Sequence, residues 1–349
     1  MDSPARGSVL ILLLWVLLFV STLAVASSLG TMQQVRAVEK IETRERIYEL
    51  AASGALAAVD AVSSSTVQDM APAVDTLNDL WADDAALFKN VLIGSAGSYT
   101  VSYDRTDDIT GAAETKYGVI DEERKINVNY ASKEVLVRLL FRTAGLSAAG
   151  AEETAGAIID WRDADNIMGD GEQAITETAH YSATGHGYVP SNTPFRLPEE
   201  LLLVKGMSAE IFAAIRDYIT VFGKGRVNVN TAPKNVLVAL GLPEELADKI
   251  IYFRAGLDSR EGTPDDNTFF SSGTIDKDLS AQCSLTRQEK SALAAAISGG
   301  AFEVTSETFM AVSAGALKNR DLCGTLVCIF DRSGRIKYHG YYVSTLTQK

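Results

Sequence analysis

The chain has 349 residues, enough for roughly two domains and a sizeable buried core. Lys and Arg number 32 against 45 Asp and Glu, so the net charge is −13, the wrong sign for gripping a phosphate backbone through displaced counterions. Hydrophobic residues make up 46% and charged residues 22%, which excludes wholesale disorder and describes a globular protein with something apolar attached.

The apolar part comes first. Residues 1–7 are short and polar and end in Arg6-Gly7, after which no charge appears from Ser8 to Val35. Ser8 to Leu29 supplies the stretch of about 20 residues that a hydrocarbon core of about 30 Å requires. Three readings compete: a secretory signal cut near Ala24-Val25-Ala26, a retained signal anchor, or a leader cut between Gly7 and Ser8 that keeps the apolar run as the mature N-terminus. The continuation favours a retained helix. Val35, Val38, Ile41, Tyr48, Ala52, Ala55, Val59 and Val62 recur at helical intervals, with Arg36, Glu39, Lys40 and Glu42 between them. Only Gly30 and Gly54 interrupt Ser8 to Ser63, and no proline does, so one long helix half in lipid and half in water is expected.

Downstream, Thr76 to Leu92 reads as a short helix, Ser98 to Tyr103 as a strand, Thr106 to Thr115 as a polar loop and Tyr117 to Ile120 as another strand. Residues 129–300 read mainly as helix and loop. Near the C-terminus, Ala301 to Val312, Gly324 to Asp331 and Ile336 to Val343 read as strands, with a hairpin turn at Arg332 to Arg335 and Gly334 suited to positive φ.

The helical middle contains an echo. Ile126-Asn-Val-Asn-Tyr-Ala-Ser-Lys-Glu-Val-Leu-Val137 returns as Val227-Asn-Val-Asn-Thr-Ala-Pro-Lys-Asn-Val-Leu-Val238. Each copy has a short β-prone piece, an Asn of N-cap type (Asn129, Asn230) and a helix start, with Pro233 where a first-turn proline is tolerated. Leu201 to Ile211, with Gly206, is a related unit, and all look like helix-hairpin-helix elements. Such hairpins can bind DNA through turn amides, but Glu199, Glu200, Glu210, Glu244, Glu245 and the net charge favour packing or protein contact.

Arg6-Gly7-Ser8 resembles the leader junction of type IV pilin-like proteins, which a prepilin peptidase cuts after the Gly. Most of those proteins carry Glu at the fifth mature position; here it is Leu12. A carboxylate at bilayer depth costs at least about 2.5–3.5 kcal/mol and is useful only with a partner amine, so its absence suggests a subunit with no neighbour ahead of it, at a filament tip. The wider chain resembles the minor pseudopilin K family of the type II secretion system. The motifs are the Gly7 leader, Gly118-Val-Ile-Asp-Glu-Glu-Arg-Lys-Ile-Asn-Val-Asn129, Asp160-Trp-Arg-Asp-Ala-Asp165, Asn192-Thr-Pro-Phe195, Glu199 to Gly206 and Asn228 to Pro233. Ser8 departs from the larger apolar residues common at the mature N-terminus.

The resemblance implies an α+β, pilin-like fold, a long N-terminal transmembrane helix on an antiparallel sheet, interrupted by a large inserted all-α domain with helix-hairpin-helix-like repeats. The expected divisions are leader 1–7, transmembrane helix 8–29, soluble helix 30–65, first pilin-like part 66–128, inserted domain 129–300 and completing strands 301–349. It implies a single-pass protein of the bacterial inner membrane with its bulk in the periplasm. The implied role is to cap the pseudopilus with minor pseudopilins I and J and support export of folded proteins. Other pseudopilins, the inner-membrane secretion platform, prepilin peptidase and exported substrates are further expected partners. A membrane-anchored DNA-binding or uptake protein is the alternative.

Asp160, Asp163, Asp165, Asp170 and Glu172 crowd one segment, and Asp258, Glu261, Asp265 and Asp266 another. Closely spaced carboxylates suit calcium, which takes six to eight oxygens, but Ile167 and Met168 rule out an EF-hand, and a solvated acidic loop is the competing reading. The resemblance implies calcium in the insertion, with Asp163, Asp165, Asp170 and Glu172 the better match. His180 and His186 flank a Gly-containing loop and read as loop polarity rather than a metal pair. Cys283, Cys323 and Cys328 form no CxxC. If the domain is exported, one bridge is expected, Cys283 with Cys323. No GxSxG, HExxH or phosphate loop occurs, and no enzyme activity is expected.

Overall fold

The computed structural model describes residues 5–65, 74–163, 192–318 and 322–345. Helix α1 (Ala5–Ser65) runs unbroken for 61 residues, about 90 Å at 1.5 Å per residue. There follow α2 (Ala85–Phe88), then strands β1 (Val91–Ile93), β2 (Gly97–Val101), β3 (Tyr103–Thr106), β4 (Ala113–Lys116) and β5 (Ile120–Asp121). The middle comprises β6 (Ile126–Asn127), α3 (Lys133–Thr143), α4 (Ala148–Arg162), α5 (Ala209–Ile215), β7 (Ile219–Thr220), β8 (Val227–Asn228), α6 (Lys234–Ala239), α7 (Glu244–Arg254), α8 (Ile275–Gln282), α9 (Arg287–Ser298) and β9 (Phe302–Glu303). Three ten-residue strands close the chain: β10 (Thr308–Leu317), β11 (Leu322–Asp331) and β12 (Ile336–Thr345).

The main sheet has the order β1-β2-β10-β11-β12, with β5 pairing the start of β10. Strands from both ends of the soluble part therefore meet at β10, where Gly315 lies opposite Tyr99 and Phe309 opposite Asp121. On one face lies the second half of α1. Ile47, Leu50, Ala51, Ala55, Ala58 and Val62 are buried there, at helical spacings that keep them on one stripe. Small residues bring the backbones together: a Cβ on Gly315 would sit 2.5 Å from the Ala51 nitrogen, and one on Gly54 would sit 2.2 Å from Ser313 Oγ. Trp81, Phe88, Phe309 and Phe330 fill the rest, Trp81 meeting Phe309 edge-on at 5.1 Å.

Between β5 and β10 the chain builds a second core from residues such as Leu136, Leu139, Ile158, Leu201, Leu246, Ile250 and Leu293. This part is helical but not wholly so. The dipeptides β6 and β7 pair in parallel, and so do β8 and β9. The echo's β-prone pieces are thus short strands that fix where each helical pair begins.

Two local expectations change. Thr76 to Leu92 holds only the four-residue α2, because Asp79 accepts from the Thr76 N–H and Trp81 Nε1, and Asp84 from the N–H groups of Ala86 and Leu87, giving turns a competing set of bonds. The Thr106 to Thr115 loop is the tip of a hairpin in which β3 pairs with β4. The Arg332 to Arg335 turn is as expected, with Gly334 at φ +82. Cys283 and Cys323 form no bridge, and all three cysteines are free. The pair is split between two bodies: Cys283 packs on the helical core, whereas Cys323 lies on β11 opposite Ala316 and Ser344.

Candidate functional site

The two halves of α1 have different surroundings. Every described side chain from Val9 to Glu42 is exposed, including Leu14 at 61% and Phe19 at 67%, and the stretch is long and apolar enough to cross a membrane. Burial begins at Thr43 and Ile47, where the sheet starts. Gly7 and Ser8 lie near the helix start and Leu12 within its exposed part. Gly30 has no neighbour and no bend, so the expected continuity across it holds.

The echo proves longer than its twelve matching residues. In the first copy, Asn129 clamps the backbone of Phe195: Asn129 Nδ2 donates to the Phe195 carbonyl at 2.9 Å, and the Phe195 N–H donates to Asn129 Oδ1 at 2.8 Å. In the second, Asn230 clamps Phe269 the same way at 3.0 and 2.9 Å. Arg162, at the end of α4, returns to the carbonyls of Val128 and Ala131; Arg254, at the end of α7, returns to those of Val229 and Ala232. Even the rings correspond: Trp161 stacks on Phe195 at 6.3 Å and Phe253 on Phe269 at 4.4 Å. Each copy thus has a strand dipeptide, an Asn pair, two helices, an Arg that ties the second helix to the first turn and a clamped Phe.

The leading Asn separates the copies. Asn127 Nδ2 reaches the Phe222 carbonyl at 2.7 Å, within the helical body. Its counterpart Asn228 lies within hydrogen-bond distance of the Asp75 carbonyl (3.0 Å), Asp121 Oδ2 (3.1 Å) and Ser306 Oγ (3.0 Å). Those partners belong to the body built on the main sheet. Asp121 Oδ2 also accepts from Thr231 Oγ1 at 2.6 Å and Ser306 Oγ at 2.7 Å. Asp75 accepts the Ser306 N–H and pairs with the guanidinium of Arg332, whose backbone carbonyl accepts from Ser63 Oγ at the end of α1. Helix end, β5, repeat and β10 entry meet at one buried polar joint.

Carboxylates crowd this joint. Asp75, Asp121, Glu122 and Glu123 are all at least nine-tenths buried. Glu122 has Lys125 and Thr220 as partners. Burial pushes Asp121 up to about 6 although Thr231 and Ser306 donate to it. Burial, followed by the charge of Asp121, pushes Glu123 up to about 8. Geometry agrees: Glu123 Oε2 accepts the Thr308 N–H at 3.0 Å, while the buried Oε1 has no hydrogen-bond partner. A neutral carboxylic acid fits that position better than an anion.

The second acidic loop spends its carboxylates internally. Asp265 accepts from the N–H groups of Leu257 and Asp258, Asp266 from that of Gly262, and Glu261 is buried against Arg254 and Arg105. No group of three or more metal-ligating side chains occurs among the described residues. Of the first cluster, Asp163 ends α4 with its N–H on the Ile159 carbonyl, while Asp165, Asp170, Glu172, His180 and His186 lie outside the described residues. At the second hairpin Glu244 is held down at about 2 by hydrogen bonds from Arg142 and Lys234, and Lys234 also pairs with Asp248 at 2.6 Å. Cations beside that turn are answered within the protein, which leaves little for a phosphate.

Comparison with known proteins gives two matches. Residues 119–224 match the family model of type II secretion system (T2SS), protein K, a stretch that holds the first repeat copy and, of the joint, Asp121, Glu122 and Glu123. A chain in the crystal structure of the GspK-GspI-GspJ complex from the enterotoxigenic Escherichia coli type 2 secretion system superposes with a TM-score of 0.60 at 16% identity, covering 89% of this chain and 99% of that one. That likeness establishes the shared mixed helix and sheet fold. No match is found among curated proteins.

Proposed function

We propose that this chain, a type II secretion system protein K by its 119–224 domain, works as a minor pseudopilin that caps the periplasmic pseudopilus and supports export of folded proteins. The observation that carries the reading is the divided α1. Its first half exposes an unbroken apolar surface, while its second half is fixed to the sheet at backbone distance. Such a helix can exchange lipid contact for contact with neighbouring helices at small net cost, since lipid and Leu are similarly apolar. Leu12, in place of a carboxylate, asks for no preceding amine, and the inserted body adds bulk where a tip subunit needs nothing above it.

Minor pseudopilins I and J are the proposed partners, from the likeness to a chain that was crystallised in such a complex. Prepilin peptidase is proposed to cut between Gly7 and Ser8, leaving a single-pass inner-membrane protein with a periplasmic head. Other pseudopilins, the secretion platform and exported substrates complete the setting. The repeat hairpins serve packing in this reading. Calcium is proposed at Asp163, Asp165, Asp170 and Glu172 rather than at the second acidic loop, whose oxygens are bonded to the chain's own amides and Arg side chains.

The deciding experiment is co-purification of the full chain with minor pseudopilins I and J at physiological salt, followed by N-terminal sequencing. A stable three-part complex with a mature end at Ser8 is expected. No complex, or a mature chain starting at Ser27, would sink the reading. Calcium calorimetry is expected to give heat that Asp165→Asn with Asp170→Asn removes; absence of heat in the unaltered protein overturns the metal site.

A further inference from the structure

The outward face of α1 carries a pattern of its own. Val35, Val38, Glu42, Glu45, Glu49 and Leu56 follow one another at steps of three and four residues, with Ala52 in the one remaining slot. That spacing is the seam of a helix that packs along another helix. The seam looks away from the sheet. Glu45 lies two residues from the buried Thr43 and Ile47, Glu49 from Ile47 and Ala51, and Leu56 from Gly54 and Ala58, about 200° around the helix in each case. Val35, Val38 and Leu56 are 52%, 54% and 68% exposed, and the three glutamates are exposed between them.

Charge along this stretch is segregated. Arg36, Lys40 and Arg44 follow at steps of four on the side that carries Ile47 and Ala51 to the sheet, across the helix from the glutamates. Arg46 stands one turn from both Glu42 and Glu49, yet among the described residues it pairs with neither, and no side chain bonds to any of the three carboxylates. The nearby Tyr341 is a neutral phenol and cancels none of that charge. Like charges one turn apart weaken a helix, and Glu42, Glu45 and Glu49 stack at that spacing. A second copy presenting the same face would set six carboxylates against one another, so the seam rejects its own kind. Glu42 also stands thirteen residues, about 20 Å, beyond Leu29, outside the reach of lipid headgroups. An acidic middle between apolar ends is matched by a helix with a cationic middle between apolar ends.

We propose that this face seats a parallel, membrane-anchored helix of a different protein, whose Lys or Arg side chains at matching steps meet Glu42, Glu45 and Glu49 between apolar contacts at Val35, Val38 and Leu56. The inference rests on the membrane-anchored α1 proposed above and not on the capping role. To test it, the full chain is placed in phosphatidylcholine vesicles with synthetic single-span helices, and association is read by energy transfer. One probe carries Lys along its seam, a second carries the same Lys on its opposite face, and a third carries Glu along the seam. The first is expected to bind at least about tenfold tighter than the other two, and more weakly as salt rises. Glu42→Gln with Glu45→Gln and Glu49→Gln should remove that tenfold. Glu199→Gln with Glu210→Gln and Asp276→Asn, exposed carboxylates of the head, should leave it intact. Circular dichroism checks that each variant keeps its helix content. No binding of the first probe, equal binding of the first two, or equal loss from both sets of variants would each overturn the proposal. So would self-association of the unaltered chain that the three seam substitutions abolish. A chain that does not float with the vesicles would overturn the anchored reading itself and this inference with it, which keeps the two failures apart.

Discussion

The two repeat copies share a frame and differ in what they hold. Both use an Asn clamp on a Phe backbone, an Arg returned to two carbonyls and a stacked ring pair. Only the second turns its leading Asn outward onto Asp75, Asp121 and Ser306, and only its Arg is enclosed in a buried charge cluster with Glu261 and Arg105. A single supersecondary design therefore serves twice, first as body and then as anchor. The difference lies in the partners of corresponding positions, not in the unit's own geometry.

That contrast can be broken in graded steps. The largest effect is expected from Arg254→Met, which leaves Glu261 short of a partner and should cost about 3–5 kcal/mol in denaturant unfolding, against about 1–2 kcal/mol for Arg162→Met. Equal losses would remove the distinction between body and anchor. Next, Asn228→Ala should cost about 3 kcal/mol by unbonding several buried groups at once, and Asn127→Ala about 1 kcal/mol, read from the same titrations.

The joint should also respond to pH. Glu123 has a folded-state value raised from 4.5 to about 8, so its native form binds the proton more tightly than the unfolded chain does. The stability it contributes is complete below about pH 4.5 and is lost as pH rises towards 8, a fall of about 5 kcal/mol at about 1.4 kcal/mol per unit. Melting midpoints should decline over that interval, and Glu123→Gln should flatten the decline; an unchanged slope would assign it elsewhere. The smallest step is Phe269→Leu against Phe195→Leu, about 1 kcal/mol each and equal within error, because both rings are buried in the same way.

Much of this was legible in the residues. The long helix was, because its period persists across Gly30 and no proline interrupts it. The echo was legible for twelve residues and then faded. Its later members, Arg162 with Phe195 and Arg254 with Phe269, stand 33 and 15 positions apart in sequence, a difference that a fixed-offset comparison cannot bridge. The joint was hidden for a different reason. Asp75, Asp121 and Ser306 are far apart in sequence, and Asp-Glu-Glu-Arg-Lys at 121–125 has the composition of a solvated turn. Its one clue was position, directly after the apolar Val119-Ile120 and before Ile126. The missed turn at Thr76 to Leu92 shows the reverse: apolar spacing suggested helix, but two Asp side chains won the local amides.

The pairing of β2 with β10 has a consequence for how the molecule is made. Its central strands, β10 and β11, are supplied by residues 308–331, so α1 has no sheet to lie on until synthesis is nearly complete. Contacts this distant along the chain close slowly, and the apolar stripe from Ile47 to Val62 stays bare in the meantime. The helical middle finds most of its partners within its own stretch and can set early, as a finished bead awaiting its clasp. A chain stopped before β10 would thus keep the bead and forfeit the head.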